Sequence, residues 1–348
     1  MASNPSSGFR LNVLNPGGRD PEQHFTDTAL ADSAAHAPVN FHAYAACTGG
    51  SFYRETTKAI AAGSPVLLLL RSDFRASERA LKQLKKAGVP VAVSLKETGL
   101  HQIADQMRDR ARLSRFLRIV READGCIAPT PEAADIYRSI RRDDPTVVFI
   151  PTPYPVHDPR WDFSRTLEER RGVFVGTREW DVPSRNHCAA LLAARQISET
   201  TGETVTVFEF GGRSGARLLA ELGFPVGKLR VLTERSGYAD YLRVVAGHKI
   251  VFELDTSFVP GQVAGDALLC RVPCVGGNGA IERIGHPATC GAGRTGAELL
   301  AIALELLTNS DEYARAVAAS QQAGTERLSF DGAATQLRRF YRDCMASK

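Results

Sequence analysis

The chain has 348 residues, 43% of them hydrophobic and 24% charged, which is ordinary globular material with enough length for two cores rather than one. A formal charge of +4 is weak evidence for a polyanionic partner, and no run approaches the roughly 18 uncharged apolar residues of a membrane span. The N-terminal MASNPSSGFR lacks the apolar core of a signal peptide, and seven scattered cysteines form no C-x-x-C pair or Cys/His zinc spacing, so a cytoplasmic protein with reduced thiols and no metal site is expected.

Phe9 to Leu14 alternates as a first strand and ends at Asn15-Pro-Gly-Gly-Arg-Asp20. Gly17 and Gly18 let the backbone approach a ligand closely, and Arg19 with Asp20 adds a cation and a carboxylate; a plain turn is the competing reading. Val39 to Ala46 reads as a second strand with His42 and Tyr44 on one face, Thr48 to Ser51 as a loop and Phe52 to Ala61 as a helix. These glycines do not complete G-x-G-x-x-G, so no dinucleotide fingerprint is present.

A regular alternation follows. Strands Val66–Leu70, Val89–Ser94, Gly125–Ala128 and Thr146–Ile150 are separated by helices Ser77–Ala87, Gly99–Ala123 and Pro131–Ile140. That is a βαβ series and hence a parallel, doubly wound sheet, whose ligands sit beyond the carboxyl ends of the strands. Glu97 follows such a strand and His101 lies one helical turn on, so either can act as a general base toward a hydroxyl, or both are structural. The helix Gly99–Ala123 carries Arg108, Arg112, Arg115 and Arg118 along one face. Such a stripe suits peripheral contact with an anionic membrane or DNA, or it is a solvated face partly neutralised by Asp105, Asp109 and Glu122.

Pro151, Pro153, Pro155 and Pro159 keep the next segment extended. The domain reading is therefore 1–157, a linker at 158–171, a second domain at 172–328 and a C-terminal helix within 329–348. The alternation restarts with strands Gly172–Val175, Val205–Phe210 and Leu229–Leu232 and helices Arg185–Thr200, Gly215–Leu222 and Tyr238–Ala246. Val251 to Glu282 then packs strand, Pro-Gly turn, helix and strand into one run. A helix opening at Gln262, directly after Pro260-Gly261, aims unpaired N–H groups and the positive end of its dipole at the loop, a ready anion site. Asp266, one turn inside, can take hydrogen bonds from sugar hydroxyls if it faces the same side; the alternative is a βαβ unit with a solvated acid. Three further helices, Ala297–Thr308, Asp311–Ala323 and Asp331–Cys344, close the chain.

The stretches Ala123-Asp-Gly-Cys-Ile-Ala-Pro-Thr130, Phe149-Ile-Pro-Thr-Pro153, Phe174-Val-Gly-Thr-Arg178 with Arg185-Asn186, Phe208-Glu-Phe-Gly-Gly212 and Val251–Glu282 occur in an order that resembles glycosyltransferases of the GT-B architecture, family 4 in particular. The resemblance implies two Rossmann-like α/β domains facing a cleft. The second would hold a nucleotide-diphosphate sugar, the first an acceptor, and the final helix would return to the first domain. It assigns Arg178 and Arg185 to the donor diphosphate, with Gly211, Gly261 and Gln262 around the donor and Asp266 at the ribose; Gly17 and Gly18, read from the first loop, join this donor-binding set. Fixed cations there stabilise charge gathering on the leaving group. Where the family has a first glutamate this chain has Phe258, and the catalytic group nearest the family position is Glu97, with His101 and Asp20 behind it. No cofactor is implied beyond the donor. Other readings are transfer to a hydroxylated DNA base, a nucleotide-sugar epimerase and a non-catalytic nucleotide-sugar-binding module.

Overall fold

The computed structural model describes residues 8–25, 37–142, 144–210 and 212–346. It divides into two compact units, one running to Pro153 and resuming at Phe330, the other spanning Tyr154–Ser329.

The first unit comprises β1 (Asn12–Leu14), β2 (Gln23–His24), α1 (Phe41–Ala46), β3 (Ser51–Tyr53), α2 (Thr56–Ala61), β4 (Val66–Leu70), α3 (Arg75–Lys86), β5 (Val91–Leu95), α4 (Leu100–Met107), α5 (Arg110–Glu122), β6 (Gly125–Ala128), α6 (Pro131–Arg141) and β7 (Val147–Phe149). They build a seven-stranded sheet in the order β2-β3-β1-β4-β5-β6-β7, parallel except for the β2–β3 pair. β4 shows why a run of five apolar residues is needed at the centre. Val66, Leu68 and Leu70 enter one core with Leu81, Phe116 and Tyr137, while Leu67 and Leu69 enter the other with Leu11, Tyr44 and Leu337. Successive strand residues point to opposite faces, so a strand covered on both sides must be apolar throughout. The second core is completed by the C-terminal helix Phe330–Ala346, whose Tyr341 hydroxyl donates to the Val66 carbonyl at 2.8 Å.

Three stretches of this unit differ from the sequence expectation. Val39–Ala46 is not a strand but leads into α1, in which Phe41 to Ala45 are all buried. An apolar run buried on every side carries no period that separates helix from strand. The strand is β3, which overlaps the end of the expected loop and the start of the expected helix Phe52–Ala61, and its place beside β1 decides it. His42 and Tyr44 consequently do not share a face: His42 stacks on Phe52 at 3.7 Å between centroids, and Tyr44 donates to the Ile150 carbonyl at 2.7 Å. The expected helix Gly99–Ala123 is two helices, because the Asp109 carboxylate accepts from the N–H groups of Ala111 and Arg112 and starts α5 afresh. The arginine stripe is interrupted with it. Arg115 and Arg118 both pair with Glu78 of α3, at 3.2 and 2.6 Å, and Arg108 pairs with Asp105 at 3.4 Å.

The second unit comprises β8 (Val173–Val175), α7 (His187–Thr201), β9 (Val205–Phe208), α8 (Arg213–Glu221), β10 (Leu229–Leu232), α9 (Tyr238–Ala246), β11 (Ile250–Glu253), α10 (Gln262–Leu269), β12 (Cys274–Gly276), α11 (Ala280–Gly285), α12 (Gly296–Thr308) and α13 (Ser310–Arg327). Its five strands are ordered β10-β9-β8-β11-β12, every neighbouring pair parallel. The chain steps outward from β8 to β10 and then returns to the other side of β8, so the direction of winding reverses between β8 and β11. The segment 158–171 is not a free spacer. The Phe163 N–H donates to the Leu269 carbonyl at 3.0 Å, and the buried Arg170 guanidinium donates to the carbonyls of Cys270 and Arg271, both at 2.9 Å. Those contacts make it part of the second unit. Among the described residues no helix is long and apolar enough to cross a membrane.

Candidate functional site

In an open parallel sheet the loops at the carboxyl ends of the strands diverge where the winding reverses, leaving room for a ligand. In the second unit these are the loops after β8 and β11, joined by that after β12. They are tied to one another. Thr256 N–H donates to the Ser184 carbonyl at 2.8 Å, Asn186 Nδ2 to the Leu254 carbonyl at 3.0 Å, and Phe258 N–H to Asn278 Oδ1 at 3.0 Å. The rim is therefore a built surface rather than three independent loops.

Arg178 and Arg185 both stand on this rim, in different electrical states. The Arg178 carbonyl accepts from the His187 ring at 2.5 Å, which anchors the backbone, while its exposed guanidinium makes no hydrogen bond or ion pair among the described residues. Burial and the nearby Arg185 charge hold the His187 ring below its ordinary pKa, so it is neutral and donates through Nε2–H. Arg185 is instead clamped between the carboxylates of Glu179 and Asp255. Although burial opposes its charge, those two carboxylates raise its pKa further. The two arginines named from the sequence thus divide into one free cation and one that holds the rim together.

Gly261 opens α10 with φ +90°, and a Cβ there would lie 1.9 Å from Glu282 Oε2. Only glycine fits. Gln262 is the first residue of α10, and its carbonyl accepts from the Tyr154 hydroxyl at 3.3 Å. Asp266 does not face the rim as a solvated acid: it is fully buried, its Oδ1 accepts from the Tyr238 hydroxyl, and its Oδ2 has no hydrogen-bond partner among the described residues. Burial raises its pKa to about 7, against the opposing effects of Tyr238, Tyr241 and Arg178. Beneath the loop Gly276-Gly-Asn-Gly279, Glu253 and Glu282 form a buried carboxyl pair, both pushed up by burial, Glu253 further by the Asp255 charge and Glu282 by the Glu253 charge. Phe258 takes a left-handed backbone with φ +53° and lies under the Arg283 guanidinium at 5.6 Å. Gly211 lies outside the described residues.

The first unit has its own reversal point, between β1 and β4, and the sequence candidates Gly17, Gly18, Asp20 and Glu97 gather there. Asn15 Nδ2 donates to Asp20 Oδ2 at 2.7 Å, Lys96 Nζ pairs with the same oxygen at 2.9 Å, and Arg71 Nη1 donates to the Gly17 carbonyl at 2.7 Å. A Cβ at Gly18 would lie 2.2 Å from Asn15 Nδ2, so that glycine leaves the path for Asn15 to reach Asp20. Burial works against the Asp20 charge, but Lys96 and Asn15 outweigh it and hold its pKa below the usual carboxylate range. Glu97 moves the other way, raised by burial despite Lys96 and Arg71. Two neighbouring carboxyl groups are thereby driven apart, the condition that separates a fixed anion from a group able to take up a proton. His101 sits half-buried on the first turn of α4.

Some of this was not anticipated. Asn15, Tyr238, Tyr241 and Glu282 act on the candidates from elsewhere in the chain. The one legible signal was the glycine-rich run 276–279, which leaves space for a side chain arriving from α11. Among the described residues no group of three or more His, Cys, Asp or Glu side chains could hold a metal ion.

No protein-family model and no curated protein sequence matches the chain. Solved structures do match in fold. HepE from Anabaena, in complex with UDP, aligns with a TM-score of 0.66 at 13% identity over 96% of this chain and 100% of its own. The pneumococcal O-GlcNAc transferase GtfA, in complex with UDP and GlcNAc, aligns at 0.56 and 11% identity over 85% of this chain and 61% of its own. An α,α-trehalose 6-phosphate synthase from Burkholderia multivorans aligns at 0.55 and 11% identity over 84% and 73%. The chain has the GT-B fold of these glycosyltransferases.

Proposed function

We propose that the chain is a glycosyltransferase, of the family 4 type, that moves a sugar from a nucleotide-diphosphate sugar to an acceptor hydroxyl. The observation that carries this reading is the rim of the second unit: the uncommitted Arg178 guanidinium and the N-terminus of α10 stand on loops joined at the point where the sheet reverses. A pyrophosphate leaving group gains negative charge as the glycosidic bond breaks, and a free cation beside helix N–H dipoles meets that charge where it develops. Neighbours of the same fold were solved with UDP, which makes UDP the first nucleotide to test.

In this reading Arg178 contacts the diphosphate and Arg185 is a positioning residue, since its charge is spent on Glu179 and Asp255. Asp266, enclosed beneath the start of α10, supports that helix from behind and does not touch the ribose. Glu97, with its raised pKa, takes the acceptor proton, and Asp20 and Lys96 orient the acceptor. A hexosyl donor is the natural first assignment. The test is a thermal-shift panel of nucleoside diphosphates and their sugars on wild type and Arg178→Ala, followed by product analysis with and without acceptor. A nucleotide should raise the melting temperature of wild type but not of the variant. Absence of any shift sinks the reading. Conversion of the free nucleotide sugar without acceptor would make the protein an epimerase, and binding without turnover a binding module.

A further inference from the structure

At the amino ends of the strands in the second unit, the edge opposite the rim, lies a cavity of about 510 Å³. Arg165, Arg171, Arg230 and Arg243 line it, together with Thr206 and His248, and no carboxylate is among its lining residues. Arg171 and His248 each lie two residues before a strand, and Arg230 pairs with Thr206 across β10 and β9, so parallel strands bring the group together from four separate stretches of chain.

The nearby acids are already engaged. Glu203 pairs with Lys249 at 2.5 Å and accepts from the Gly172 N–H at 2.6 Å, and Asp240 pairs with Arg243. Arg171 Nη1 donates to the carbonyls of Glu168 and Arg170 at 2.5 and 2.6 Å, which orients it without neutralising it. The guanidinium groups of Arg165 and Arg230 make no hydrogen bond or ion pair among the described residues.

The floor is polar and its protons can be assigned. His248 Nδ1 lies 2.7 Å from the Val244 carbonyl, which only accepts, so Nδ1 carries the hydrogen. Nε2 is then the acceptor for the Thr206 hydroxyl at 2.8 Å. Burial, reinforced by the Arg230 charge, lowers the ring's pKa to about 4, so the imidazole is neutral.

We propose that this cavity is a second anion site, shaped for a small ligand carrying two or more phosphate groups. Arg243 is paired with Asp240, but Arg165, Arg171 and Arg230 have no carboxylate partner among the described residues, and a bound polyanion would relieve their mutual repulsion. The cavity falls within the roughly 300 to 1,000 Å³ of small-molecule sites. The site is independent of the transferase reading, because no lining residue belongs to the rim.

The phosphate can come from a free metabolite or from a lipid headgroup, and the experiment separates them. Pyrophosphate binding is measured on the full chain by calorimetry and by the ring resonances of His248. The Arg178→Ala background removes the rim cation as a competitor, so failure of the donor reading does not affect the outcome. Saturable binding is expected that shifts His248, weakens with salt, and falls at least roughly tenfold when Arg165→Ala and Arg230→Ala are added. Both residues are exposed, so these substitutions should leave the unfolding temperature unchanged. Vesicles containing a phosphoinositide with a bisphosphorylated inositol ring form the second arm. If they compete with pyrophosphate and depend on the same two arginines, the ligand is a headgroup; if only soluble pyrophosphate binds, it is a metabolite. The proposal is overturned if neither probe binds, or if the double substitution leaves affinity and the His248 shift unchanged.

Discussion

The hydroxyl of Tyr238 donates to Oδ1 of Asp266, and the carboxyl group it serves is fully shielded from solvent. A neutral donor does not compensate for burial, and the acid's pKa stands near 7 rather than 3.8. The folded state therefore holds a proton that the unfolded chain has released at any pH between those values. Stability linked to this group is greatest below about pH 4, declines as pH rises toward 7 and is level above it. Asp266→Asn keeps the shape and removes the titration. Chemical denaturation across that window should show a loss on the order of 4 kcal/mol in wild type and a smaller loss in the variant. Equal slopes would mean the group is not protonated in the native state.

Arg178 and Arg185 should behave differently when truncated. Arg178→Ala is expected to weaken nucleotide diphosphate binding by about tenfold to a hundredfold with little change in stability, because it removes a charge-assisted contact and no internal one. Arg185→Ala strands Asp255 and is expected to cost about 2 kcal/mol of stability. Calorimetry of UDP beside urea unfolding of each variant distinguishes them.

Gly261→Ala tests the start of α10. The new Cβ would need φ +90° and would overlap Glu282. A cost of about 2 kcal/mol or more is expected. A variant as stable as wild type would show that Glu282 can vacate the space.

Tyr341→Phe tests the return of the C-terminal helix. It removes a buried hydrogen bond to the Val66 carbonyl without changing the ring. About 1 kcal/mol of lost stability is expected from equilibrium unfolding.

What the amino-acid sequence determined by itself was the fold class and the location of its loops. Alternating βα units from Val66 onward are local patterns, and turns such as Pro260-Gly261 act over a few residues. It also pointed to Arg178, Gly261, Asp20 and Glu97, whose place after a strand follows from that alternation. Where a segment was buried on every side, as at Phe41 to Ala45, the pattern lost its period and a helix was read as a strand.

Only the tertiary structure decided the state of each group. Arg178 and Arg185 are equal as letters, and their difference comes from Asp255, on a loop 70 residues away in the chain. Asp266 lost its contact with solvent to Tyr238, 28 residues upstream. The four-arginine cavity has no local signature, because its cations arrive from separate strands and loops. Charge and burial are set by neighbours in space, and in a parallel sheet those neighbours are brought together by crossovers that no short stretch of sequence records.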